Sequence, residues 1–468
     1  MRAADAWAIE DQGVPEDDLM ARAALGLARV TAAVASEGPI RIVAGKGNNG
    51  GDGRVAARLL AEDGHEVEVI DGTEPFDPER LAGSGAVVDA LLGTGFEGAP
   101  REPVASAIWA INREQAPVVA CDVPSGVNAS TGEVEAEAVQ ALATATFHGS
   151  KVGLHVNPGK QHAGRVEVAE IGIPRGAPEP AAAGLISARV LDLYPHRGRS
   201  GSKFDSGVVV VVGGSAGLTG APTMAARSAS RAGAGYVGVA VPQPVQQTVD
   251  LRLLEQMSRG LPDDDGFHTP QGIADVEEMA ERAGAVVLGP GLGPAEGAQE
   301  FARGVAVAVE APLLVDADGL NAHAGRLELF RERSAPTVLT PHEAELGRLL
   351  GVEPDEVAAH RVEHVREAAE LSGAVVLLKG DDTIVALPGG PLAISPGGTP
   401  ALATAGTGDV LSGLIGALLA KRLDPFEAAS LGALAHALAA RHAAGLVGTD
   451  HVMAGDVIEA LPHGLTLR

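Results

Sequence analysis

Cysteine is almost missing from this chain. Cys121 is the single example among 468 residues, so no intramolecular disulfide can form and a reducing, cytoplasmic setting is expected. Cys121 also ends the apolar run Val118–Cys121, which suits strand core better than a nucleophile. Aromatic residues are scarce at 3%, leaving Ala, Val and Leu to build the core, while 62 glycines predict many tight turns. Basic residues are outnumbered, 35 Lys and Arg against 61 Asp and Glu; the net charge of −26 argues against nucleic acid or an anionic membrane as partner. No apolar run approaches the roughly 18 residues needed to cross a bilayer. The first residues carry acids at Glu10, Asp11, Glu16, Asp17 and Asp18 without the unbroken apolar core of an export signal.

What is present describes a folded protein. A hydrophobic content of 46% with 21% charged residues is globular, and 468 residues predict two domains. Short β-branched runs alternate with Ala- and Leu-rich stretches, the pattern of parallel sheets covered by helices. Strands are expected at 40–44, 67–71, 86–89, 118–122 and 144–147, with helices at 54–61 and 104–112 between them. The segment 174–184, with three prolines and no large apolar side chain, breaks the periodicity and predicts a linker at 176–184. Strands then resume at 208–212, 237–241, 285–288, 313–316, 337–339, 375–378 and 383–387. The stretch from Asp409 to Ala460 reads as wholly helical.

Two glycine-rich loops carry chemistry. Gly45-Lys-Gly-Asn-Asn-Gly50 matches the dinucleotide fingerprint between a strand and a helix, with Asp71 about 20 residues on. The match is imperfect, because the loop runs on through Asn48, Asn49, Gly50, Gly51 and Asp52, and a carboxylate repels a pyrophosphate. Asp89 and Asp122 end the third and fourth strands, where open α/β sheets bind ligands. Asn49, Asp89 and Ser125 can converge there as oxygen ligands for a large monovalent cation, or each can simply cap a turn. The second loop, Thr404-Ala-Gly-Thr-Gly-Asp409, feeds an apolar helix. Its N–H groups and the helix dipole suit a phosphate. Asp409 fits a base that deprotonates a hydroxyl about to be phosphorylated; the competing reading is a plain helix N-cap.

Motif order makes the reading specific. Residues 1–175 resemble the epimerase domain of NAD(P)H-hydrate repair enzymes through Asp5…Ala8-Ile9…Leu19-Met20, Gly47–Gly53, Asp89–Gly95, Asp122–Gly126 and Thr146-Phe147…Lys151–Gly153. Residues 185–468 resemble the dehydratase domain of the same enzymes, a relative of ribokinase-like kinases. The marks are Gly213–Ser215, Gly220-Ala221, Arg231–Gly235, Gly289–Gly293, Asp316–Asn321, Thr340–Glu345, Lys379-Gly380…Thr383 and Gly406–Asp409. The resemblance implies an N-terminal Rossmann-like three-layer α/β domain followed by a ribokinase-like α/β domain.

It also implies site residues. Asn48, Asn49, Gly50, Gly51, Asp52, Gly93, Thr94, Gly95, Phe96, Glu97, Gly98, Ala99 and Asp122 would contact the hydrated nucleotide in the first domain, with Asp122 a candidate catalytic residue. Asn49, Asp89 and Ser125 would hold K⁺. In the second domain Ala221, Gly293, His342 and Asp409 would meet the hydrate. Lys379, Gly380, Asp381, Asp382, Thr383, Thr399, Ala405, Gly406, Thr407 and Gly408 would bind ADP or ATP with Mg²⁺. On residues alone, His342 also reads as a structural helix-start histidine and Lys379 as a surface lysine. The implied reaction epimerises R and S forms of NAD(P)HX and dehydrates the S form at the expense of ADP or ATP. Partners are then small nucleotides, and a homo-oligomer is expected. The rival reading is a ribokinase-like small-molecule kinase fused to a nucleotide-binding domain.

Overall fold

The computed structural model describes residues 2–177 and 181–466. The chain falls into two compact units, Met1–Ala181 and Ala182–Arg468. Among the described residues no helix is long and apolar enough to cross a membrane.

In the first unit the β-branched runs become strands β1 (Ile40–Ala44), β2 (Val67–Asp71), β3 (Ala86–Ala90), β4 (Val118–Cys121), β5 (Ala143–Phe147) and β6 (Arg165–Ala169). All neighbours pair in parallel in the order β2-β1-β3-β4-β5-β6. The helices are α1 (Arg2–Glu10), α2 (Glu16–Val34), α3 (Asn48–Glu62), α4 (Val104–Ile111) and α5 (Gly159–Ala163). Leu19, Ala23, Leu27 and Val30 form the buried stripe of α2 and join Val88, Cys121 and Phe147 in one core. The chain winds from β1 out to β2, then back across β1 to β3. That reversal opens a crevice at the carboxyl ends of β1 and β3.

The helix expected at 54–61 begins six residues earlier, at Asn48. Local propensity disfavours Asn-Asn-Gly-Gly-Asp-Gly in a helix, but close packing overrides it. A Cβ on Gly50 would sit 2.0 Å from the Gly45 carbonyl oxygen, and one on Gly53 2.7 Å from the Ala90 Cβ. Glycine is what lets α3 start against the sheet.

The second unit contains β7 (Ala183–Leu185), β8 (Val208–Val212), β9 (Tyr236–Pro242), β10 (Met257–Leu261), β11 (Asp263–Asp264), β12 (Phe267–His268), β13 (Ala285–Leu288), β14 (Leu313–Val315), β15 (Thr337–Leu339), β16 (Val375–Leu378), β17 (Ile384–Ala386) and β18 (Leu392–Ile394). Ten of these make a mixed sheet in the order β10-β9-β8-β13-β14-β15-β16-β17-β18-β7, parallel from β10 to β16. Strand β17 runs antiparallel to both β16 and β18. The helices are α6 (Gly220–Arg231), α7 (Gln243–Asp250), α8 (Ile273–Ala280), α9 (Glu296–Ala308), α10 (Asp318–Asn321), α11 (Glu343–Leu350), α12 (Pro354–Ala359), α13 (Arg361–Ser372), α14 (Thr407–Ala420), α15 (Pro425–Val447) and α16 (Ala454–Leu465).

The stretch from Asp409 to Ala460 is helical but interrupted twice: Asp424 caps α15 through the N–H groups of Phe426 and Glu427, and Gly448 at φ 90° ends it. The linker expected at 176–184 is shorter, because Ala183 and Gly184 pair with Leu392 and Ala393 as an edge strand. Residues 178–180 of it lie outside the described residues.

Candidate active sites

The crevice of the first unit is a cavity of about 920 Å³. Gly45–Asn49 and Asp52 line it from the start of α3, Leu91–Glu97 from the loop after β3, and Asp122 from the end of β4. Asn48, Asn49, Asp52, Gly93, Thr94, Gly95, Phe96, Glu97 and Asp122 are thereby brought together. Gly50 and Gly51 support the helix start, and Gly98 and Ala99 lie beyond the lining residues. Asp5, Glu16 and Lys151 also face the cavity, although the residue pattern did not single them out as site residues. Lys151 stood inside the motif Lys151-Val-Gly153, a signal present but not weighed.

Asp122 adopts φ 66°, unusual for an L residue and a mark of a position held by its surroundings. Its Oδ1 accepts from Lys151 Nζ at 2.5 Å and from Thr146 Oγ1 at 3.1 Å. Burial pushes the Asp52 carboxyl up to about 7, and the nearby Asp122 charge adds to this.

Of the expected cation ligands, Asp89 and Ser125 are bonded to each other and Asn49 reaches the neighbouring Leu92 carbonyl. Ser125 donates to Asp89 through its N–H, at 2.7 Å, and its hydroxyl, at 2.6 Å, while Leu91 N–H donates at 3.2 Å. Asn49 Nδ2 donates to the Leu92 carbonyl at 2.7 Å, which leaves its Oδ1 as an acceptor. Asp89 is fully buried with neutral donors only among the described residues, and burial raises its carboxyl to about 6 despite them.

In the second unit the sheet reverses its winding beside β8 and β13. The Gly213 and Gly289–Gly293 turns approach there, Gly214 N–H donating to the Pro290 carbonyl at 2.8 Å. A Cβ on Gly291 would lie 3.2 Å from the Ala221 Cβ, which places Ala221 against this turn. Gly293 N–H donates to Asp318 Oδ2 at 2.9 Å.

Helix α14 starts at Thr407, capped by Gly406 at φ 91°. Asp409 is therefore the third helical residue and not the N-cap, which removes the plain capping reading. Thr407 N–H turns back to the Thr404 carbonyl at 3.3 Å, so the free donors at the helix start are those of Gly408 and Asp409. Burial pushes the Asp409 carboxyl up to about 7; Asp316, Asp318 and Glu345 add to this and Lys379 opposes it.

Lys379 is not a surface lysine. Its Nζ donates to Asp316 Oδ1 at 2.8 Å and stands 3.5 Å from Glu345 Oε2, and a Cβ on Gly408 would lie 3.7 Å from it. Burial alone lowers an ammonium, but the Asp316 and Glu345 carboxylates outweigh it and hold Lys379 above its ordinary value. Asp316 also accepts from Ser412 Oγ on α14 at 2.6 Å. Asp316 stood in the Asp316–Asn321 motif but was not singled out.

His342 caps α11. Its Nδ1 accepts from Ala344 N–H at 3.1 Å and Glu345 N–H at 3.3 Å, and Glu345 Oε2 accepts from His342 N–H at 2.9 Å. The structural role is thus real; the half-exposed ring also sets Nε2 3.5 Å from Glu345 Oε1. The Asp382 carboxylate is buried against Arg361 Nε at 3.0 Å. Thr383 Oγ1 donates to the Gly380 carbonyl at 2.8 Å, Gly398 N–H donates to the Asp381 carbonyl at 2.7 Å, and Thr399 Oγ1 accepts from Ala401 N–H. The expected nucleotide loops therefore adjoin at Asp381 and Gly398.

Comparison with known proteins agrees with both units. Residues 209–463 match the NAD(P)H-hydrate dehydratase family, and residues 16–82 and 71–153 match the family described as YjeF-related protein N-terminus. The bifunctional NAD(P)H-hydrate repair enzyme Nnr of Salinibacter ruber is 38% identical, covering 99% of this chain and 94% of its own length. The Escherichia coli enzyme of the same name is 34% identical over 90% of this chain and 84% of its own. A crystal structure of the ADP/ATP-dependent NAD(P)H-hydrate dehydratase of Bacillus subtilis, co-crystallised with ATP and Mg²⁺, covers 60% of this chain and 97% of its own at 28% identity, with a TM-score of 0.54. The chain belongs to the family of bifunctional NAD(P)H-hydrate repair enzymes.

Proposed function

We propose that the two units divide the repair of hydrated NAD(P)H, the first interconverting R and S hydrates and the second dehydrating the S form with ADP or ATP. The boundary we assign follows the two units, with the epimerase over about 1–175 and the dehydratase from Ala182 onward.

In the second unit the carrying observation is Asp409, a half-buried carboxyl raised to about 7 at a helix start beside free N–H donors. Hydroxide is a poor leaving group from C6 of the reduced ring. Asp409 takes the hydroxyl proton while phosphate transfers, and the 6-phosphate leaves under the push of the ring nitrogen. The N–H groups at the start of α14 and the Lys379 ammonium face the charge that develops on the transferred group. Ala221, Gly293 and His342 bound the hydrate. Gly380–Thr383, Thr399 and the Ala405–Gly408 turn bound the adenine nucleotide. Mg²⁺, present with ATP in the co-crystallisation of the Bacillus subtilis protein, would neutralise phosphate charge on the nucleotide.

In the first unit, the residues of the cavity bind the hydrated nucleotide. The cation set fits K⁺: one buried carboxylate lacking a cationic partner, with the Asn49 Oδ1 and Ser125 Oγ oxygens, is a hard donor set of low charge. Held there, K⁺ would neutralise Asp89 and fix the loop after β3 that lines the cavity.

The test mixes the protein with S hydrate and ADP or ATP. Recovery of the reduced-nicotinamide absorbance is the expected result. A stable phosphorylated alcohol in place of NAD(P)H would mark a kinase and overturn the proposal.

A further inference from the structure

The cavity wall of the first unit holds a lysine that substrate binding does not explain. Lys151 follows β5 and is 7% exposed, yet it lines the cavity. An ammonium has three N–H donors, and all three are spent: on Asp122 Oδ1 at 2.5 Å, Thr146 Oγ1 at 2.9 Å and the Phe147 carbonyl at 3.0 Å. Lys151 has none left for a substrate. The Thr146 hydroxyl gives its one proton to the same Asp122 oxygen. Both partners therefore load Oδ1, and Oδ2 is the oxygen open to accept a proton. Asp52 lines the same cavity from α3 and feels the Asp122 charge, yet among the described residues it has no ion-pair partner; burial raises its carboxyl to about 7. Among the described residues one carboxylate has a buried cation on it and the other has none, which is the asymmetry that separates a base from an acid.

We propose that Asp122 Oδ2 and Asp52 are the base and the acid that interconvert the hydrate epimers, with Lys151 the positioning residue that holds Asp122. The inference rests on the epimerase reading of this unit. Asp122 takes the proton of the C6 hydroxyl. The oxygen's electrons close a C6–O double bond, the C6–N1 bond breaks with its pair going to N1, and N1 takes the Asp52 proton. Rotation about C5–C6 turns the other aldehyde face toward N1. On return N1 attacks C6 and gives its proton back to Asp52, while the oxygen recovers the proton from Asp122. Nothing is gained or lost, and the C6 oxygen stays in the molecule. Expelling that oxygen is the step for which the second unit uses a nucleotide, so the first unit has no use for it.

The experiment uses the full chain and follows R and S hydrates by chromatography. Asp52→Asn is expected to lower kcat by about 10²–10⁴-fold with KM nearly unchanged, the unchanged KM showing an intact cavity. Lys151→Ala should lose a similar factor and recover part of it with added ethylammonium but not with sodium chloride, a response a purely structural lysine would not show. In ¹⁸O-labelled water the unmodified chain should epimerise while retaining its C6 oxygen. Asp52→Asn or Lys151→Ala working within about threefold of the parent would overturn the assignment, as would one oxygen exchanged per turnover. Absence of interconversion by the unmodified chain would instead overturn the epimerase reading itself.

Discussion

Asp409, the base we propose, would trade stability for chemistry. Burial, then Asp316, raise its carboxyl from 3.8 to about 7. The folded second unit therefore binds this proton more tightly than the unfolded chain. The resulting destabilisation is absent at acid pH, grows as pH climbs from about 4, and is complete above about 7. A base must be ionised, so dehydration should rise with pH through the same window in kcat/KM. Asp409→Asn should remove dehydration by about 10²–10⁴-fold, leave nucleotide binding largely intact, and raise the thermal midpoint at pH 8. Activity within about threefold of the parent would return Asp409 to a structural role. Lys379 is the counterweight. Lys379→Met leaves the buried Asp316 without its cation, so the acid limb of the surviving activity should move to higher pH. An unmoved limb would show that Lys379 does not act on Asp409.

At the level of elements, glycine decides where helices sit. Gly413 lies in the middle of α14, where a Cβ would be 2.0 Å from the Ala225 carbonyl oxygen on α6. Gly413→Ala cannot be absorbed by a side-chain rotation and must separate the two helices. We expect a loss of about 1–3 kcal/mol in the second unit by overpacking, with dehydration falling as α14 moves, and epimerisation unchanged. Calorimetry showing an unaltered transition would contradict this account of the α6–α14 contact. The turn before α14 follows the same logic: Gly406 is left-handed, and its Cβ would strike Met224.

For the whole molecule, the strand β7 sets where the chain can be divided. A fragment beginning at Gly184 would cut an edge strand, whereas division at Ala181–Ala182 keeps the ten-stranded sheet whole. The fragment 1–181 should interconvert hydrate epimers without nucleotide. The fragment 182–468 should dehydrate only the S form and leave R hydrate behind until the first is added. Asp89→Asn should weaken any K⁺ stimulation of the first fragment. Conversion of both epimers by 182–468 alone, faster than spontaneous epimerisation, would refute this division.

The α/β class, most strand positions and the two loop motifs were legible in sequence, because a buried parallel strand must be apolar throughout and a close backbone approach admits only glycine. Val208–Val212 and Ala285–Leu288 are found as read, since no other element suits such runs. The edge strands Arg165–Ala169 and Ala183–Leu185 were not legible, because partly exposed strands carry no continuous apolar signal. Nor was the partnership of each charged group. Asp382 and Lys379 read as equivalent loop residues, yet one is tied inward to Arg361 and the other faces Asp316 from 63 positions away. Residue type and local pattern are written along the chain and determine what each segment can become. Which carboxylate meets a lysine, and which is buried alone, depends on contacts between distant segments, and only the tertiary structure decides it.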